Sequence, residues 1–216
     1  PFREYNKITL NIDHSCSDLS SISTSSQLIT PIGDFSFAFN HNGTPQDFTT
    51  TLNIATPFPG SERFNIELAN SFTQDSKLTT RATLTSSMGD FSFTLNFDGD
   101  LRKFQASLEL TTPFSSLPRL AINLDHARPN QRTIVTEGRL STPMGDFGMK
   151  LNHKGFPKNL KSSLEITTPF PGYERLSGEI EHNARDIANI VSKSKFNTPY
   201  GLFKHEFTHS GNPSDF

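Results

Sequence analysis

The chain has no tryptophan, a single cysteine and no long apolar run, and each lack closes off a class of explanation. With Cys16 alone, no disulfide can form within these 216 residues, and a zinc site built on several thiolates is excluded. Cysteine usage therefore neither shows nor denies secretion. No stretch of about 18 apolar residues exists, which rules out a transmembrane helix, and no signal-peptide pattern is present. The 20 basic and 22 acidic residues leave a net charge of −2 with no basic stripe, so nucleic acid is not an expected partner. Ala, Glu, Lys and Leu dominate no window, which argues against helices and for an all-β fold. What the chain does have is 20 Phe set in a background rich in Ser, Thr and Asn.

It also repeats. The phrase "TTPFPGYERLSGEIEH" (Thr167 to His182) returns as "ATPFPGSERFNIELAN", as "TTPFSSLPRLAINLDH" and as the opening "PFREYNKITLNIDH"; its prolines, Pro1, Pro57, Pro113 and Pro169, stand 56 residues apart. A second phrase, "TPIGDFSFAFNH", "SSMGDFSFTLNF", "TPMGDFGMKLNH" and "TPYGLFKHEFTH", keeps the same beat at Gly33, Gly89, Gly145 and Gly201. A fixed period of this size signals an array of supersecondary units, each unable to bury its apolar face alone. The expected organisation is one array with units near 1–56, 57–112, 113–168 and 169–216, the last incomplete, cut from a longer chain.

Within a unit the turns fall alternately 26 and 30 residues apart, at Pro31, Pro57, Ser87, Pro113, Pro143, Pro169 and Pro199, which gives four strands. "FSFTLNF" sends Phe91, Phe93, Leu95 and Phe97 one way and Ser92, Thr94 and Asn96 the other, because strand side chains alternate. Phe104, Ala106, Leu108 and Leu110 repeat the pattern, as do Leu120, Ile122 and Leu124. Carried through the array, this parity also selects Phe35, Phe37, Phe39, Phe48, Leu52, Ile54, Phe64, Ile66, Leu68, Phe147, Met149, Leu151, Leu164 and Ile166. The links are short and rich in Pro and Gly, as antiparallel neighbours require. The expectation is an extended antiparallel up-and-down meander of about fifteen strands, one face apolar and the other polar.

Few residues invite chemistry. His14, His126 and His182 recur in one half-unit and His41, His153 and His209 in the other; a column of imidazoles could bind metal, but Asn70 and Phe97 replace it in the second unit. The simpler expectation is a strand-end residue bonded to the adjoining turn. Asp34, Asp90 and Asp146 are too sparse for calcium, which needs six or more oxygens, and are expected to cap turns. Arg63, Arg119 and Arg175 could meet lipid phosphates, or pair with Glu62 or Glu174. No nucleophile elbow or phosphate loop occurs, and every conspicuous residue repeats where an active site occurs once, so an enzyme and a cofactor are not expected. Asn42 opens one sequon, "NGT", relevant only in a secreted chain.

The phrases "LxIxTPFPGxExLxxxxEH" and "TPxGDFxFxLNHxG" resemble the β-rich regions of large lipid transfer proteins, the apolipoprotein B, apolipophorin and vitellogenin family, and "SLEITTPFPGYERLSGEIEH" is similar to their segments of the form L-x-I-x-(S/T)-P. The resemblance spans essentially the whole chain. It implies a secreted lipoprotein in which an amphipathic sheet lies on phospholipid or neutral lipid, with the apolar parity named above as the lipid-binding surface. This array is more regular than the family's β segments. The competing expectation is an extracellular structural or adhesive array whose apolar faces close as a protein core; a third is a closed barrel.

Each unit presents roughly ten large apolar side chains, and covering each contributes about 1.5–3 kcal/mol, so about 15–30 kcal/mol per unit depends on finding a cover. Strand edges at either end are expected to associate unless lysine or proline blocks them.

Overall fold

The computed structural model describes residues 7–73, 76–186 and 189–211, the side chains of 185 and 186 excepted. Residues 1–6 of the phrase that opens at Pro1, and residues 212–216 of the fourth unit, therefore lie outside the described residues. Fifteen strands follow one another: β1 (Thr9–Asp18), β2 (Ser21–Thr30), β3 (Gly33–Gly43), β4 (Asp47–Ala55), β5 (Arg63–Thr73), β6 (Lys77–Ser86), β7 (Gly89–Gly99), β8 (Lys103–Thr111), β9 (Arg119–Asn130), β10 (Thr133–Thr142), β11 (Gly145–Phe156), β12 (Asn159–Thr167), β13 (Arg175–Asp186), β14 (Asn189–Thr198) and β15 (Gly201–Ser210). They form one sheet whose order is the chain order, an up-and-down antiparallel meander with no helix among the described residues. The all-β meander expected from the sequence is the fold. By compactness the chain divides into two units, Pro1–Asp98 with Ser107–Leu120, and Gly99–Ala106 with Ala121–Phe216.

Two kinds of turn set the register. In Thr-Pro-x-Gly, and in its Ser-Ser-Met-Gly counterpart at 86–89, the hydroxyl of Thr30, Ser86, Thr142 or Thr198 donates to the carbonyl of Gly33, Gly89, Gly145 or Gly201. The same oxygen accepts from the second amide on, as Ser86 does from Met88 and Thr142 from Met144. The hydroxyl before proline thus caps the turn. The expectation that Asp34, Asp90 and Asp146 do so is corrected: they lie inside the ladders, opposite Ile29, Thr85 and Ser141, and the cap comes from the hydroxyl four residues before each of them.

The longer Thr-Pro-Phe turn is closed at its base by the Thr56 amide bonding Glu62 O at 3.0 Å and the Thr168 amide bonding Glu174 O at 3.1 Å. Inside it, the Gly60 amide donates to the Glu62 carboxylate and the Gly172 amide to Glu174, each at 2.9 Å. These amides are the leading cause holding both carboxyls below the usual range.

The two phrases pack on each other. Gly33, Gly89 and Gly145 have φ of 128°, 118° and 121°, where an L side chain is strained, and a Cβ there would overlap the ring of Pro57, Pro113 or Pro169. Each proline rests on a bare glycine 24 positions earlier, which explains why both phrases keep one period.

Candidate functional site

Directly opposed residues of an antiparallel ladder project to the same side, so the register assigns neighbours to the apolar residues. In the first unit, Phe35, Phe37 and Phe39 stand opposite Leu28, Ser26 and Thr24. Phe37 and Phe39 meet Ile54 and Leu52 on the next strand, while Phe48 faces Gly43. Ile54, Leu52 and Phe48 in turn face Phe64, Ile66 and Asn70, and Thr50 faces Leu68. Ile66 and Leu68 meet Leu84 and Ala82, which stand opposite Phe91 and Phe93, with Leu95 opposite Thr80. Leu108 and Leu110 follow Phe104 on its parity in β8.

In the second compact division, Ile122 and Leu124 face Leu140 and Gly138; Leu120, on the same parity of β9, falls in the first. Leu140, Gly138 and Thr136 face Phe147, Met149 and Leu151, and the last two meet Ile166 and Leu164. Gly178 stands between Leu164 and Phe196 and leaves room for the Phe196 ring, whose Cδ1 a Cβ there would meet at 3.2 Å. The result is an apolar groove of about 500 Å³ lined by Leu151, Leu164, Ile166, Leu176, Ile180 and Phe196.

Cover is what these side chains lack. Among the described residues the one buried apolar side chain is Ala121, 7% exposed, whereas Phe37, Ile66, Met149 and Phe196 keep 38–46% of their surface in water. Every strand packs sideways on its ladder partners, and among the described residues there is no second sheet or helix to lie over it.

The sequence reading passed over one set of side chains. The turn residues Phe58, Phe114 and Phe170 set their rings edge-on to Phe35, Phe91 and Phe147, with centroids 5.6, 5.5 and 5.6 Å apart. Their constant separation, 58 − 35 = 114 − 91 = 170 − 147, was the available signal. Tyr173 and Tyr200 form a further edge contact with hydroxyls 2.5 Å apart, and that bond raises the Tyr173 pKa.

The histidines lie on the phenylalanine side and bond across the ladder. Nδ1 of His14, His41, His126, His153 and His182 stands 2.7–2.9 Å from the hydroxyl of Thr24, Thr50, Thr136, Ser162 and Ser192. This corrects the expected bond to the adjoining turn: the directly opposed hydroxyl is nearer than any turn group. Asn70, which replaces histidine in the second unit, accepts from Thr80 in the same way at 2.8 Å. In the half-unit of His14, His126 and His182 the position therefore takes a hydrogen-bonding side chain that need not be an imidazole, while in the other half-unit Phe97 stands at the place of His41 and His153. His126 also stacks on Phe104, with centroids 5.0 Å apart. No group of three or more His, Cys, Asp or Glu among the described residues is placed to hold a metal ion.

The opposite side carries cross-strand ion pairs: Lys77 with Asp98, Arg119 with Glu109, Lys150 with Glu137, Lys161 with Glu181, Arg175 with Glu165 and Lys193 with Glu206. The bonds to Glu137 and Glu206 raise the pKa of Lys150 and Lys193, and the Lys150 ammonium lowers that of Glu137. Arg119 and Arg175 thus use glutamates of the preceding strand; Glu174 is engaged inside its own turn, as Glu62 is in the equivalent one, and Pro118 takes that place beside Arg119. Asn42 is exposed at the end of β3, opposite Ser21 and Thr49.

A scan against protein-family models matches none, and neither the curated proteins nor the solved structures yield a match to this chain.

Proposed function

We propose that this chain is a non-enzymatic lipid-binding sheet, a segment of a secreted lipid carrier of the apolipophorin-like kind, in which the side bearing Phe35, Phe93 and Phe147 lies against acyl chains. The observation that carries the reading is the contrast between the two sides. One side gathers apolar residues from strand after strand and leaves them half exposed, while the other holds charges paired across the ladder.

Apolar surface of this extent does not stay in water when a cover exists. A lipid cover suits a surface that repeats along the chain, because acyl chains offer the same environment to every unit. The groove beside Gly178 has the section and apolar lining to seat a chain. The row of histidine–hydroxyl pairs gives the apolar stripe a polar margin, and the paired charges of the other side remain in water.

The test is flotation with a triolein–phosphatidylcholine emulsion. The wild-type chain is expected to float with the emulsion. Phe93→Asp, opposite Ala82, is expected to lose most binding, whereas Thr94→Asp, opposite Arg81 on the other side, retains it. Equal binding by the two variants would sink the reading. A wild-type chain that stays with the aqueous phase, folded and associated through its apolar side, would favour the structural array with that side closed as a protein core.

A further inference from the structure

Three neighbouring hairpin ends of the second compact division bring cations together. The β7–β8 link supplies Arg102 and Lys103, the β9–β10 hairpin Arg128 and Arg132, and the β11–β12 hairpin Lys154 and Lys158. Main-chain bonds set the three side by side: the Arg128 amide donates to Arg102 O at 2.5 Å and the Gly155 amide to Arg132 O at 2.7 Å. All six side chains are exposed, and among the described residues none of them forms an ion pair. Asp100 of the first link is engaged by the amides of Arg102 and Lys103, at 2.7 and 2.9 Å. Lys154 also stands directly opposite Lys161, an unfavourable placing of like charges that an anion would relieve.

The fold does not require these charges. One period earlier the places of Arg102, Lys103, Arg128 and Arg132 hold Gln46, Asp47, Phe72 and Ser76, and two periods before Lys154 and Lys158 stand Asn42 and Gln46. The same hairpins close there without the cations. Apolar side chains are interleaved with them. Leu101, 90% exposed, precedes Arg102, and Phe156, 45% exposed, lies between Lys154 and Lys158 with the Arg132 guanidinium 4.8 Å over its ring. Lys and Arg set among exposed Leu and Phe suit the boundary between headgroups and acyl chains, whereas a soluble polyanion makes no use of the apolar members.

We infer that this end of the sheet binds the phosphate groups of anionic phospholipids, with Leu101 and Phe156 entering the headgroup boundary. The inference deepens the lipid-binding reading, and rests on it for the kind of surface the sheet lies against. His126 and His153 of the polar margin lie in the same strand ends, so the cations continue that margin. No basic run marks the place in the sequence, because three separate links contribute.

The test is cosedimentation of the intact chain with phosphatidylcholine vesicles, with and without phosphatidylserine, run beside the triolein–phosphatidylcholine emulsion. Phosphatidylserine is expected to tighten wild-type binding by at least about tenfold, since each Lys or Arg near an anionic surface is worth roughly fivefold, and added salt is expected to remove the gain. The quadruple variant Arg102→Gln, Arg132→Ser, Lys154→Asn and Lys158→Gln takes residues that the same places already carry earlier in the array. It is expected to lose the gain and still float with the emulsion as wild type does. A control of equal net charge, Lys77→Gln, Arg119→Gln, Arg175→Gln and Lys193→Gln, is expected to keep the gain. No gain in the wild type, a gain kept by the first variant, or an equal loss in the control would each overturn the inference, as would binding of dextran sulfate without any gain on phosphatidylserine. A chain that fails on the emulsion yet keeps the variant-sensitive gain would sink the lipid-carrier reading while supporting the cationic end.

Discussion

The seat of proline on glycine is the contact that locks one hairpin to the next, and a double-mutant cycle at Gly89 and Pro113 measures it. An alanine at Gly89 adopts a backbone conformation at φ 118° that costs roughly 1–3 kcal/mol for a non-glycine residue, and its Cβ overlaps the Pro113 ring. The turn must then lift, which separates Phe114 from Phe91 and forfeits about 0.5–1.5 kcal/mol for the edge-on pair. Gly89→Ala is therefore expected to cost about 1.5–4.5 kcal/mol. Pro113→Gly loses the same ring contact and adds about 0.4–1 kcal/mol of unfolded-chain entropy, for about 1–2.5 kcal/mol in all. The ring contact can be lost only once. The double variant should be less damaged than the sum of the singles by about 0.5–1.5 kcal/mol. Because repeat arrays open locally, the assay is urea unfolding combined with amide exchange in β6 and β7. Additivity within about 0.3 kcal/mol would refute the seat as an energetic contact.

Other expectations concern single side chains. His182→Asn should change stability by less than about 0.5 kcal/mol, because Asn70 at the equivalent position already makes this bond to Thr80, whereas His182→Val leaves Ser192 without its partner at 2.7 Å and should cost about 1 kcal/mol; chemical denaturation distinguishes them. Glu62 and Glu174 have lowered pKa values in the fold, so the stability they lend is complete above the ordinary carboxylate pKa and is lost as pH falls through the lowered one. The Gly60 and Gly172 amide shifts should titrate below the ordinary glutamate midpoint, and Glu62→Gln should abolish the Gly60 transition. Gly178→Leu should fill the groove and displace the Phe196 ring, weakening emulsion binding more than Gly60→Ala, which changes an exposed turn.

Most of the fold was legible because the turns announce themselves. Gly33, Gly89, Gly145 and Gly201 open strands where the sequence phrase repeats, and short polar links leave antiparallel neighbours as the only connection. The parity of Phe91, Phe93 and Leu95 follows from alternation alone. What pattern could not supply was the partner at a given position. Arg119 reaches Glu109 ten residues back, and His126 reaches Thr136 ten residues on, choices fixed by register once each turn length is realised. The aspartates of Gly-Asp-Phe look like turn caps in sequence, yet the hydroxyl before proline already occupies that role. Phe58, Phe114 and Phe170 sit in turns, outside any alternation, so parity passed over them although their spacing is regular.

The account depends most on what covers the phenylalanine side. Lipid extraction and native mass spectrometry of the protein purified from its source address it directly. The account predicts phospholipid or neutral lipid in an amount that grows with the number of units in the chain. A folded, soluble and lipid-free chain would contradict it and make that side a protein core.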